Sequence, residues 1–247
     1  KYTDPGNYFF WQKENSNYLR ETNQSTRIFP HRVNSVGKLR DVWQAGFRSF
    51  EVDVRFVNDS FKVGHDEKNV GLGFEEFLSK VDYHSIEKIW LDFKNLNKDN
   101  YKGALAKLEA LDSKFGLKGK MIVESGTPSD VFKAFNELQW HTSYYLPTVT
   151  VVDLLKTKNT AELERLATEI SKRVQSQHVS AVSFDDRLYP FVKRYLEPKI
   201  SKEIVYHAWY GPSLKTTNFK VELSKKAPYN DPRVKTLLCT FESHFNL

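Results

Sequence analysis

Four short pieces between Ile28 and Lys94 decide how this chain reads: HRVNS at residues 31–35, FEVDVRF at 50–56, VGHDE at 63–67 and LDFK at 91–94. In FEVDV the acids Glu51 and Asp53 stand two apart. On a strand both carboxylates therefore point to one face, while Phe50, Val52 and Val54 point to the other. Like charges buried side by side are costly unless a cation lies between them, so the pair reads as half of a hard-metal site. Asp92 repeats the arrangement: Trp90, Asp92 and Lys94 share one face of the next candidate strand, and Ile89, Leu91 and Phe93 fill the other. That supplies a third oxygen ligand. An exposed edge, or ion pairs from Arg48 and Arg55, is the plainer alternative for Glu51 and Asp53, and the apolar opposite face argues against it.

Outward from this stretch the chain alternates strand and helix. RIFPHRV (27–33) reads as a strand, and 35–45 as a helix with Ser35 at its N-cap, Val36, Leu39 and Val42/Trp43 on one face, and Gly46 past its end. Further strands are expected at 49–57, 88–94, 120–125, 142–146, 179–185, 204–210 and 234–240. Helices are expected at 74–81, 101–115, 129–138, 161–177 and 188–196. Eight strands separated by helices predict parallel β-structure closed into an α/β (β/α)8 TIM barrel as a single domain over residues 27–247. An open doubly wound sheet is second, because no Gly-rich phosphate loop follows the first strand. Residues 1–26 interleave polar residues with Tyr8, Phe9, Phe10, Trp11 and Tyr18 and show neither period. They are expected to pack as an N-terminal extension over the bottom of the barrel.

Composition agrees with a globular domain: 247 residues, 40% hydrophobic and 28% charged. No apolar run reaches the roughly 18 residues of a membrane span. The single Cys239 excludes an internal disulfide. A net charge of +6, spread along the chain, suits an anionic substrate and allows peripheral contact with a membrane surface. A clustered basic stripe of the kind that binds nucleic acid is missing, so no nucleic acid is expected as a partner. The chain begins at Lys1 rather than Met, from which a processed, periplasmic or secreted protein is expected. Oligomeric state is not encoded in any pattern.

In a barrel the site lies at the C-terminal ends of the strands. The polar candidates gather there: His31 on the first, Glu51 and Asp53 on the second, Asp92 and Lys94 on the third, Glu124 on the fourth, Asp185 on the sixth, His207 and Trp209 on the seventh. His31 and His65 flank the acidic strand, which raises them above an ordinary core histidine. Glu124, Asp185 and His207 read equally well as structural, Trp209 reads first as core, and His84, His141, His178 and His244 take the structural reading. The loops 67–74, 147–160 and 211–231 are expected to set substrate choice, in no pattern that can be decoded.

The ordered set His31-Arg32, Glu51-x-Asp53 and His65-Asp66 resembles the signature of the glycerophosphodiester phosphodiesterase family, within the phospholipase-C-like phosphodiesterase barrels. HRVNS, EVDV and LDFK are also similar to the sphingomyelinase D branch of that superfamily. The resemblance implies Glu51, Asp53 and Asp92 as ligands of a divalent ion, Mg2+ or Ca2+, with His31 and His65 as the acid–base pair. Arg32 and Lys94 would hold phosphate oxygens, with Asn34, Glu124, Asp185, His207 and Trp209 as further pocket residues. Asn34-Ser35 stands where glycerophosphodiesterases usually carry Glu-Asn-Thr, Asp92 replaces their glutamate, and residues 66–87 are too few for their inserted subdomain. The loop after His65 lacks the cysteines of the sphingomyelinase D branch. The implied activity is metal-dependent cleavage of a glycerophosphodiester or a lipid-headgroup phosphodiester. A sphingomyelinase D-like reaction ending in a cyclic phosphate is one alternative, and a barrel that binds a phospho-ligand without turnover is the other.

Overall fold

Short apolar runs separated by amphipathic segments bury their apolar faces when helices cover a mostly parallel sheet, and here that sheet curls on itself with the helices outside. The computed structural model describes residues 5–69, 71–126 and 130–243, and the side chains of residues 5–8 and 69 fall outside that description. The elements run α1 (Pro5–Glu21), β1 (Ile28–Pro30), α2 (Val36–Gln44), β2 (Ser49–Val57), β3 (Ser60–Val63), α3 (Phe74–Leu78), β4 (Lys88–Phe93), α4 (Tyr101–Phe115) and β5 (Met121–Ser125). They continue with α5 (Val131–Glu137), β6 (His141–Tyr145), α6 (Thr148–Lys156), α7 (Thr160–Ser176), β7 (Ala181–Asp185), α8 (Tyr189–Phe191), β8 (Val205–Trp209), α9 (Phe219–Lys225) and β9 (Val234–Cys239).

Parallel ladders join β1 to β9 and run in order through β8, β7, β6, β5 and β4 to β2. Across the remaining gap the Val33 N–H donates to the Glu51 carbonyl (2.9 Å). The expected single (β/α)8 barrel is therefore the fold. Most of the apolar core lies between the sheet and the outer helices, where Phe50, Val52, Val54, Ile89 and Leu91 are fully buried. Inside the barrel the apolar filling is small, Phe29, Trp90 and Leu238 with Trp209 against them. The rest of the interior is polar.

The outer wall follows local rules. Ser35 caps α2 by accepting from the Lys38 N–H (3.1 Å), and Gly46 past its end takes φ 86°, a conformation that glycine adopts without steric cost.

Four departures from the sequence reading have physical causes. First, β3 turns back antiparallel on β2 through Asn58 and Asp59, both at positive φ (49° and 55°), the signature of a two-residue hairpin. Second, residues 5–21 form a helix although no apolar period shows. Its buried stripe is Gln12, Asn15, Ser16 and Leu19, three of which are polar. These polar groups bond backbone instead: Asn15 donates to the Leu214 and Thr216 carbonyls, and Gln12 both donates to and accepts from the backbone of Glu242. Third, α6 and α9 lie in segments expected as loops. The first is rich in β-branched residues, and the second buries Phe219 and Leu223. Fourth, the helix expected at 188–196 is one short α-turn followed by wider, π-type turns at Val192–Leu196. Two expected features, the start of the helix at Ser129 and the structural role of His244, lie outside the described residues.

Leu91 is fully buried against the helical layer. Leu91→Ala should cost about 2–5 kcal/mol through lost burial and the cavity left behind, read as a lower urea midpoint at unchanged slope.

Candidate active site

The site begins where β1 ends. Arg32 adopts a left-handed backbone (φ 54°), which costs a non-glycine residue about 1–3 kcal/mol. The bend turns the Arg32 N–H onto Glu51 Oε2 (2.5 Å), and the next amide meets the Glu51 carbonyl. Asn34 then clamps Asp53: its Oδ1 accepts from the Asp53 N–H (3.0 Å), and its Nδ2 donates to Asp53 Oδ2 (2.5 Å). The segment that closes the barrel thus closes onto the two acids of β2.

Strand register brings the third acid in. Asp53 pairs with Asp92 across β2 and β4, and Asp92 pairs with Glu124 across β4 and β5, which sets a row of carboxylates at one height. One oxygen each from Glu51, Asp53 and Asp92 lies within 4.8 Å of the other two. Lys94 bridges the row, with Nζ 2.8 Å from Asp53 Oδ1 in an ion pair and hydrogen-bonded to Asp92 Oδ2. Glu51 Oε1 is buried with no hydrogen-bond partner among the described residues.

The electrostatics follow from burial. Burial, then the charges of Asp53 and Asp92, hold the Glu51 carboxyl well above its ordinary range. Burial pushes Asp53 up as well, but the Lys94 ammonium and the Asn34 amide outweigh it and keep Asp53 low. Asp92 is raised by burial more than Lys94 restores. Lys94 would be lowered by burial, yet Asp92 and Asp53 together raise it. An orphaned buried oxygen among three all-oxygen donors is a set that fits a hard divalent cation.

His65 reaches the site by way of the hairpin. β3 runs back down β2 until Val63 pairs with Val54, and the Gly64 N–H donates to the Asp53 carbonyl (2.9 Å). His65 Nδ1 lies 2.9 Å from Asp66 Oδ1, and its Nε2 lies 3.4 Å from Arg32 Nη2. His31 stands opposite, its Nε2 3.7 Å from Glu51 Oε2. Burial, with Arg32 adding to it, lowers His31 to about 4, so its imidazole is neutral at pH 7.

One pocket of about 260 Å3 is lined by His31, Arg32, Glu51, His65, Asp92 and Lys94 together with Glu124, Ser125, Gly126, Tyr145 and Trp209. Trp209 stacks on Tyr145 (centroids 6.3 Å apart) and forms an aromatic wall facing the acids. Glu124 is buried, with Oε2 unpartnered and its carboxyl raised by burial and then by Asp92. Tyr145 had no part in the sequence reading; one aromatic among twelve tyrosines gives no signal until β6 and β8 set it beside Trp209.

Two expected pocket residues stand apart from this group. Asp185 is buried beside the mouth but is held by the Arg187 guanidinium and backbone (2.8 and 2.9 Å), capping the turn after β7. His207 lies lower on the barrel axis, its ring 5.4 Å from that of Trp90, and lines a cavity at the opposite end.

His207 is lowered to about 3 by burial, then by Lys88 and His141. The unfolded chain, near 6.5, therefore takes up this proton first. The stability contributed by a neutral His207 is present above pH 6.5 and lost as pH falls toward 3. His207→Gln should flatten that part of the urea-midpoint profile relative to the parent chain. A second expectation concerns the clamp: Asn34→Ala removes the donor to Oδ2 of the buried Asp53 carboxylate and should cost about 1–3 kcal/mol in the same assay.

No protein-family model and no curated protein matches this chain. Solved structures do. A glycerophosphodiester phosphodiesterase from Parabacteroides distasonis superposes with TM-score 0.59 at 11% identity, covering 87% of this chain and 92% of its own. A protein named as a glycerophosphoryl diester phosphodiesterase from Agrobacterium tumefaciens gives TM-score 0.58 at 13% identity, covering 87% and 93%. Another so named, from Silicibacter pomeroyi, gives 0.58 at 11%, covering 86% and 89%. The likeness shows that this chain has the same barrel fold as these glycerophosphodiester phosphodiesterases over most of its length.

Proposed function

We propose that the chain is a metal-dependent phosphodiesterase acting on a glycerophosphodiester or on the phosphodiester of a lipid headgroup. The observation that carries this reading is the orphaned Glu51 Oε1 among three converging acids, with an imidazole on either flank and two cations beside them. Solved proteins with the same barrel carry that activity in their names, which supports it. Glu51, Asp53 and Asp92 would hold the ion. When bound, a divalent cation there supplies positive charge to the non-bridging phosphate oxygens and offsets the charge that develops in the transition state.

The chain's own residues do the rest. Lys94 and Arg32 bring further positive charge to the phosphate. His31, neutral at pH 7, accepts the proton of the attacking hydroxyl at a ring nitrogen as the new P–O bond forms. His65 gives a proton to the departing oxygen, its Nδ1 lying 2.9 Å from Asp66 Oδ1. Trp209 and Tyr145 offer an apolar wall to the organic part of the substrate.

His31→Ala and His65→Ala should each lower cleavage of a model phosphodiester by about 10²–10⁴-fold, and Glu51→Gln should abolish the metal-dependent rate. Chelation should remove activity and Mg2+ or Ca2+ restore it; normal turnover in any of these variants rejects the assignment. A substrate with a free vicinal hydroxyl should pass through a cyclic phosphate, visible by phosphorus NMR at early times. Its complete absence would assign the attack to water.

A further inference from the structure

The opposite end of the barrel carries a second concentration of charge. Lys88 opens β4, Lys120 precedes β5, His141 opens β6 and Lys235 lies at the start of β9, so all four come from the N-terminal ends of barrel strands, three of them adjacent and β9 separated from β6 by β8 and β7. They rim a cavity of about 230 Å3 whose lining includes no Asp or Glu. None of the three lysines forms an ion pair among the described residues; Lys120 is half-buried, and Lys88 and Lys235 are exposed at the rim. Gathering like charges around a concave, partly enclosed space is unfavourable unless an anion offsets them.

The floor of this cavity adds an independent sign. His207 is 4% exposed and Thr236 is 1% exposed; both line the cavity, and His207 Nδ1 and Thr236 Oγ1 have no hydrogen-bond partner among the described residues. Buried polar atoms are rarely left so without a ligand or water to meet them. The charges that act on the His207 ring, Lys88 and His141, are both basic.

We propose that the base of the barrel is a second binding site, for a small oxyanion of at least two negative charges such as phosphate or a phosphate monoester. Lys88, Lys120 and Lys235 would meet its charge as point cations, His141 closes the rim, and His207 with Thr236 bonds its innermost oxygen. A monoanion would leave most of the rim charge unbalanced, and a flat polyanion surface could not reach the buried pair. The site shares no residue with the catalytic pocket and stands or falls separately from the phosphodiesterase reading. In a barrel this end does not host the chemistry, so the role is regulatory or retentive rather than catalytic.

The test follows the histidine side-chain signals of the full chain by NMR during titration with inorganic phosphate and, separately, with glycerol 3-phosphate, against chloride at equal ionic strength. Saturable shifts of His141 and His207 are expected with both phosphates, and tighter saturation by the monoester would show that its organic part also occupies the cavity. In the double variant Lys88→Gln/Lys235→Gln, and in Lys235→Gln alone should the pair not fold, the affinity should fall about tenfold or more while any shifts of His31 and His65 persist. Absence of saturation at His141 and His207, equal affinity in the variants, or shifts confined to His31 and His65 would overturn the proposal.

Discussion

The structure of the site depends on one constraint: three carboxylates are held within 4.8 Å of one another, with Lys94 bridging two of them. Their mutual repulsion is opposed by the fold rather than by solvent. Backbone amides and the Asn34 side chain neutralise part of Glu51 and Asp53, and these same bonds draw β1 against β2 where no regular ladder joins them. Barrel closure and acid placement are therefore one event. The strained backbone of Arg32 is the local cost of that arrangement.

Around this wall the barrel interior is divided along its axis. At the C-terminal end sit the acids, the two imidazoles and the aromatic wall of Trp209 and Tyr145. A thin apolar plug of Phe29, Trp90 and Leu238 lies inside the barrel. At the N-terminal end the sign reverses, with lysines on the rim and His207 and Thr236 beneath them. Apolar burial is delegated to the outer face of the strands, which frees interior positions for polar side chains. That division explains why alternate residues of β2 and β4 are so unlike in character.

The hairpin of β2 and β3 shows how the fold converts a short insertion into chemistry. Without the return strand, the chain leaving Val57 would carry His65 away from the acids. The antiparallel pairing brings Gly64 back to the level of Asp53, and His65 arrives opposite His31. The Asn58-Asp59 turn that reverses the chain is a local signal, two turn-forming residues flanked by alternating apolar ones.

Much was legible from the chain alone. Period-two alternation placed Glu51, Asp53 and Asp92 on one face of their strands, the Ser35 cap and Gly46 bounded α2, and eight strands with helices between most of them implied the barrel. These are local properties, carried by side-chain direction and backbone preference within a few residues. What sequence could not supply was anything that depends on distance between strands. The polar stripe of α1 finds its partners some two hundred residues away. Tyr145 joins the pocket, and Asp185 and His207 turn elsewhere, because register and strand height decide which side chains meet. Sequence alone determined which residues could share a face; the closed barrel decided which of them share a cavity, because only closure sets the height at which each strand presents its side chains to the axis.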